Sequence, residues 1–417
     1  MEIHHQLSES GSDRATGYNM SSKLIRRDDT LFVSWLDAPS ELGQPAKAML
    51  GVCDLQSGEM RSRIQLGEGI DNHCGAALAL DQNGRLHAIV GAHSGDFLYR
   101  WSDTPAEAES WSASIFLGPN DTYPSLAVDA EGTLHLAHRE AGERWQLWYR
   151  RKRAGQPWET PLPLAISPVP GYNHFMQSLT VGPTGELHLI FQFHYGDSGS
   201  ASDCRGRAAV SMQSDDGGET WFNEGERCDT LPLTVETMNA ICHHEGQHER
   251  WEVRVGNHVV DADNQPWFFA SIPGRRAGVL WHRTSDGWEE IELADTIPNL
   301  NMENGRATSI SRDMEGHLHL MIATHPFGEK TNWFDPSLEL FHLKLRADGS
   351  LIAIEQLTTT EPSAANWLPA LEWWDWTRPT VSCADSPWFM YTQGLNAGGI
   401  GGDNRNAIST EVYLGKL

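Results

Sequence analysis

No run in the 417 residues approaches the ~20 consecutive apolar residues of a membrane-spanning helix. The opening stretch, MEIHHQLSESGSDRATG, also lacks the apolar core of a secretory leader. As written, the sequence therefore predicts a cytoplasmic protein, or a secreted or periplasmic one if a leader has been removed. Positive charge is scarce: 31 Lys and Arg stand against 56 Asp and Glu, a formal charge of −25. Such a surface argues against nucleic acid and anionic membranes as partners. An acidic ligand would have to be met by a local cluster of Arg, Lys or His. Six cysteines (Cys53, Cys74, Cys204, Cys228, Cys242, Cys383) show no disulfide framework in their spacing. Sustained 3.6-residue periodicity with caps is also missing, which argues against a helical fold.

What the sequence does have is Gly (39), Trp (17) and a repeated hairpin. The stretch DNHCGAALALDQNGRLHAIVGAHSGD (71–96) contains a short apolar strand, a D-x-x-G-x-L-H turn and a second strand. TYPSLAVDAEGTLHLAHRE (122–140) repeats the device. Gly at such a turn supplies the backbone freedom a tight reversal needs. Strand candidates of the second type recur at 31–36, 86–91, 134–139, 187–193, 266–271, 318–323 and 387–392. Apolar runs such as 125–130, 178–182 and 380–385 precede them, and runs such as 97–102, 147–152 and 338–345 follow. Four strands per unit and seven units predict an all-β, seven-bladed β-propeller with four-stranded antiparallel blades. It should be a single domain over 1–417, with an insertion at about 222–258. SDDGGETW (214–221) is an Asp-box, a structural turn that packs its Trp into a blade. Residues around His4 to Leu7 are expected to pair with STEVYLG (409–415) and cover the open sheet edge.

In such a blade the starts of first strands and the ends of second strands converge on one mouth. That rule collects His73 and His93, Tyr123 and Arg139, then Tyr172, His174 and His194, then Arg306 and His325, then Arg378, with Arg205 and Arg207 on a nearby loop. A mouth rich in Arg, His and Tyr suits an acidic ligand. These side chains can also perform β-elimination on a uronate. A base removes the proton from C5, an acid protonates the O4 leaving group, and a cation neutralises the carboxylate so that the C5 proton becomes acidic. Arg grips a carboxylate with two hydrogen bonds, while His and Tyr move protons. His73, His93, Tyr123 and Arg139 supply the set, without deciding which of His73, His93 and Tyr123 is base and which is acid.

The His73–His93 spacing of 20, the Tyr123–Arg139 spacing of 16 and the repeated hairpins resemble the BNR-repeat polysaccharide lyases, seven-bladed propellers that include ulvan lyases and lyases of rhamnosyl-glucuronate linkages. GYNHFMQSL (171–179) and DCRGRAAVSMQSDDGGETW (203–221) agree more weakly. The resemblance implies that the two histidines and Tyr123 share the proton transfers, that Arg139 neutralises the uronate and that Tyr172 contacts substrate. It implies an acidic polysaccharide or oligosaccharide as partner, a monomer and no organic cofactor. Here Cys74 follows His73 where the family commonly has Asn, and the connector from His93 to Tyr123 is short; both bear on the substrate more than on the reaction.

Cys and His also gather around the insertion. Zinc takes such ligands tetrahedrally, and some lyases of the group carry a structural metal, so His194, Cys204, Cys242 and His244 form the expected zinc set. Two other readings compete. A sialidase-type glycoside hydrolase would need three arginines and a Tyr–Glu nucleophile pair. A non-catalytic glycan-binding propeller would need aromatic platforms, for which EWWDW (372–376) is a candidate.

Overall fold

The D-x-x-G turns set the local structure. In three of them the aspartate carboxylate accepts a hydrogen bond from the backbone N–H four residues on: Asp81 from Arg85 (2.8 Å), Asp129 from Thr133 (2.7 Å) and Asp313 from His317 (2.9 Å); Asp261 does the same from Gln265 (2.9 Å) in a turn with Asn264 in place of the glycine. Gly84, Gly132 and Gly316 take φ of 76, 79 and 84°, a left-handed conformation open to glycine without steric cost. The histidine of the motif then links turn to sheet. His135 Nε2 lies 3.1 Å from Asp129 and its Nδ1 2.7 Å from the Tyr149 hydroxyl. His319 bridges Asp313 (3.2 Å) and His342 (3.0 Å) in the same way. The repeated histidine is thus a structural tie at the turn end of these two hairpins.

The computed structural model describes residues 4–417 apart from 19, 40, 42–43, 74, 92, 105–106, 245–251, 273–274, 276–277, 294–307, 325–335, 360–363, 380–385 and 395–409. The described residues form antiparallel sheets of four or more strands, and among them there is no helix long and apolar enough to cross a membrane. Four sheets have four strands and begin the pairing at Leu24–Arg27, Arg254–Val260, Thr308–Arg312 and Ala365–Leu371. A six-stranded sheet starts at Ser178–Val181. The eight-stranded one consists of two four-stranded halves, started by Ala77–Leu80 and Ile115–Val128. Each of these first strands lies against the first strand of the next group in chain order. The last returns to the first: the Trp367 indole donates to the Asp13 carbonyl (2.7 Å), and Arg26 grips Glu372 with two bonds (2.6 and 2.7 Å). The inner strands flank an open space of about 580 Å³, lined by Leu78, Leu80, Leu126, Leu179 and others and bounded by Trp374 and Trp376.

The N-terminal strand His4–Ser8 pairs with Thr410–Lys416, in the register His4 to Gly415 and Gln6 to Tyr413. Leu7, Leu24, Trp35, Val412 and Leu414 share one buried cluster across that closure. Each large apolar side chain buried there contributes about 1.5–3 kcal/mol relative to exposure. The Asp-box behaves as a turn. Ser214 Oγ accepts from the Gly218 N–H (2.8 Å), Asp216 accepts from the Thr220 N–H (2.8 Å), and Trp221 packs edge-on against Tyr149 at 5.0 Å.

Every second strand expected from the repeat is present, from Thr30–Asp37 to Trp388–Gly394. Two expectations need correction. The first strand of the last group is Ala365–Leu371 rather than 380–385, which lies outside the described residues. Its sequence ANWLPAL has a proline, and a register shift between Trp367 and Ala370, with Leu368 at φ 51°, accommodates the break. The insertion is also shorter than 222–258. Phe222–Asn223, Glu226–Arg227 and Ala240–His243 extend the sheet before it, and Arg254–Val260 starts the next.

Seven imidazoles (His73, His93, His138, His188, His258, His319 and His342) are pushed below their ordinary pKa, chiefly by burial. Burial raises Glu140 and Glu224, which act in the opposite sense. On acidification below about 6.5 the unfolded chain binds the protons that the folded histidines refuse, so stability is lost as pH falls through that window. Urea melts at pH 7.5 and 5.5 are expected to show a lower midpoint at the acidic value; equal midpoints would contradict the burial of these rings.

Candidate active site

Thr122 is paired on both sides. On one edge of its strand it faces Arg139, and on the other it faces His93 at the start of His93–Thr104. A register shift between Thr122 and Ser125 then puts Tyr123 at φ 57°. The Gln177 side-chain amide donates to the Tyr123 carbonyl and ties the next first strand to this bend. Tyr123 is therefore the next residue after the one that pairs with both His93 and Arg139.

His73 arrives from the turn ahead of Ala77–Leu80 and stacks on His93, with ring centres 4.2 Å apart and planes 17° apart. Asp71 serves both rings. Its Oδ1 is 3.2 Å from His73 Nδ1, and its Oδ2 is hydrogen-bonded to His93 Nδ1. Tyr123 lies 5.8 Å from the His93 ring and 4.7 Å, edge-on, from His174. Burial alone would raise the Asp71 carboxyl, but the bonds from His73 and His93 outweigh it and hold it well below the usual range. Burial pushes both imidazoles down, most for His73, where Arg14 and His93 add to the effect. Burial, with Tyr172 and Tyr18 nearby, pushes the Tyr123 phenol well up against the opposing pull of Arg139 and Arg14.

Arg139 has no exposed surface, and its Nε, Nη1 and Nη2 all lack a hydrogen-bond partner. Its guanidinium carbon sits 4.5 Å from the Tyr123 ring, 4.4 Å from Trp145 and 5.2 Å from Tyr172. Cation–π contact with three rings compensates part of the lost hydration. Three buried donors without acceptors remain costly, and a ligand carboxylate would satisfy them.

The other expected residues divide. Tyr172, His174 and His194 contact one another at ring distances of 5.7–6.4 Å, and the trio adjoins the quartet where His174 meets Tyr123 and Tyr172 meets Arg139. Arg205 is exposed and donates to the Cys204 carbonyl (2.6 Å), while Arg207 covers the Tyr195 ring at 5.6 Å. Arg378 is displaced from the expected mouth: it follows Ala365–Leu371, binds Asp375 at 2.6 Å and lines the axial space at the end where the first strands finish. Arg306 and His325 lie outside the described residues. Three neighbours were not anticipated: Arg14, Tyr18 and Trp145. Tyr18 meets Tyr123 at 5.4 Å and His73 at 5.9 Å, and the Arg14 guanidinium lies 6.0 Å from Tyr18. Both residues precede the first strand Leu24–Arg27, so the rule that found His73 also applies to them.

The expected zinc set does not assemble. Among the described residues the groups whose ligand atoms lie within 4.8 Å of one another are Asp71, His73 and His93, and Asp313, Glu315 and His317. Cys204 donates to the Ser200 carbonyl (3.0 Å), Cys242 pairs across the sheet with Ala209, and His194 sits 3.4 Å from Glu252. The His244 backbone N–H donates to the Arg207 carbonyl. In the Asp71 group both carboxylate oxygens already engage imidazole nitrogens.

Residues 30–296, more than half of the chain, match the model of the BNR repeat-containing family. The chain belongs to that family. None of the curated proteins matches it in sequence. Among solved structures, this family member resembles a PL25 ulvan lyase bound to -[GlcA(1-4)Rha3S]- at 13% identity, with 98% of this chain and 94% of that chain covered and a TM-score of 0.69. It resembles the polysaccharide lyase Uly1 at 12% identity, with 100% and 98% covered and a TM-score of 0.59. It also resembles the BP39L lectin from Burkholderia pseudomallei at 12% identity, with 92% and 98% covered and a TM-score of 0.54. At these identities the likeness is one of fold.

Burial pushes the Cys204 thiol up to about 11 and the Cys242 thiol up to about 12. Both should react slowly with a thiol reagent at neutral pH in the folded protein, and added zinc should not alter the rate. Protection of Cys204 and Cys242 by zinc would restore the expected metal site.

Proposed function

We propose that this protein is a seven-bladed β-propeller polysaccharide lyase that cleaves a uronate-containing, ulvan-like glycan (glucuronate or iduronate linked to rhamnose) by β-elimination. One observation carries the reading: Arg139, fully buried, presents three unpartnered donors beside Tyr123, His73 and His93. A buried guanidinium with unmet donors selects a planar anionic partner, and a uronate carboxylate fits that chemistry.

The reaction follows from the groups around it. Arg139 takes the carboxylate and stabilises the charge that develops when C5 loses its proton. His73 and His93, held neutral by burial, are the candidate bases. Tyr123, whose raised pKa keeps its proton in place, is the acid toward O4. The C5–H bond breaks into the imidazole, its electrons form the C4=C5 double bond, the C4–O4 bond breaks, and O4 takes the phenol proton. The products are a 4,5-unsaturated uronate and a free hydroxyl. Tyr172, His174, Arg205 and Arg207 stand where neighbouring sugars would pass. A hydrolase is less well supported: Asp71 is committed to two imidazoles, and Asp13 accepts from the Asn72 amide at 2.6 Å.

Incubation with ulvan, and separately with a rhamnosyl-glucuronate glycan, should raise ultraviolet absorbance from the unsaturated uronate. His93→Ala, Tyr123→Phe and Arg139→Ala should each lower that rate by at least about 10²-fold while leaving the fold intact. Full activity in all three variants would sink the proposal, and new reducing ends without absorbance would indicate hydrolysis. Because the imidazoles are depressed, the acid limb of kcat/KM should fall below pH 6.5, with activity lost as pH drops through that limb. An acid limb at or above 6.5 would remove histidine as the base.

A further inference from the structure

Asp71 lies two residues before His73, and its side chain is 6% exposed. Its two oxygens are shared between two rings. Oδ1 faces His73 Nδ1 at 3.2 Å and also accepts the His73 backbone N–H at 2.8 Å, while Oδ2 engages His93 Nδ1. The carboxyl is held in its ionised form by those bonds, so it can only accept. Each Nδ1 must then carry the hydrogen, and each neutral ring keeps its lone pair on Nε2.

We propose that Asp71 is a positioning residue that fixes both stacked imidazoles as Nδ1–H tautomers, leaving two neighbouring Nε2 lone pairs with one carboxylate charge to support a single added proton. This rests on the lyase reading of the same site. The other charges around the pair oppose further protonation: Arg14 acts on both rings and Arg139 on His93, while the nearby Asp13 is occupied by Asn72. Two imidazolium rings stacked at 4.2 Å would also repel each other. One ring can therefore accept the C5 proton while its neighbour stays neutral. The two histidines share their proton through one carboxylate and titrate as a unit.

The test uses ¹⁵N-histidine-labelled full-length protein. Long-range ¹H–¹⁵N spectra report which ring nitrogen carries the proton, with His73→Ala and His93→Ala used for assignment. In the wild type both rings should be Nδ1–H; an Nε2–H tautomer on either would overturn the proposal without any need for an Asp71 variant. Asp71→Asn keeps the shape but offers one acceptor and one donor group. One ring should then switch to Nε2–H, and kcat should fall by about 10²- to 10⁴-fold with little change in KM. Unchanged tautomers in Asp71→Asn, with the fold preserved by circular dichroism, would overturn the proposal even if activity fell. A tautomer switch in a protein that cleaves no uronate would support the positioning role and remove the lyase reading instead.

Discussion

Everything at the candidate site depends on the two-sided pairing of Thr122. A strand residue paired on both edges holds two neighbours in register at once. Here the strand Ile115–Val128 runs on between two hairpins, so Arg139 and His93 are held in register across one residue. The bulge that follows adds Tyr123 and gives it a left-handed backbone. Backbone strain of this kind persists when the surroundings over-determine it, and it concentrates at functional sites. The Gln177 amide on the Tyr123 carbonyl and the Ser125 hydroxyl accepting from the Leu179 N–H supply that determination from the adjoining sheet.

The electrostatics follow from the same burial. A protein with a large net negative charge keeps Arg14 and Arg139 buried at one place, with Asp71 the carboxylate bonded to both imidazoles. Three aromatic rings take the place of water around Arg139, which leaves its hydrogen-bonding capacity for something that is not part of the chain.

Much of this was legible in the sequence, for identifiable reasons. The D-x-x-G turn has a backbone requirement that only certain residues meet, so the hairpins and their second strands stood out. The same periodicity placed His73, His93, Tyr123 and Arg139 at one end. The pairing of the second and third groups through His93–Thr104 was not legible, because strand-to-strand register across units leaves no spacing signal. Arg14 and Tyr18 were missed because they stand ten and six residues ahead of the first strand Leu24–Arg27, farther than His73 stands ahead of Ala77–Leu80. Arg378 was misplaced because Ala365–Leu371, interrupted by Pro369, does not read as a strand, and the apolar run at 380–385 took its place. The expected zinc ligands are close in sequence, but extended strands carry neighbours apart. Cys242 faces Ala209 midway along Arg205–Ser214, while Cys204 lies just before the start of that strand.

The closure of the ring by His4–Ser8 against Thr410–Lys416 gives the chain an order of assembly. Residues 71–139 leave the ribosome early and contain four of the central groups. Arg14 and Tyr18 lie between the closing strand and the first inner strand, and the carbonyl of Asp13 is bonded to Trp367. Their position is set by contacts more than 350 residues away in sequence, the costliest kind of loop to close. A nascent or truncated chain would thus possess the histidines, the tyrosine and Arg139 while lacking the framework that fixes the remaining wall. The wall formed by Arg14 and Tyr18 is thus complete only once Ala365–Leu371 has joined the fold.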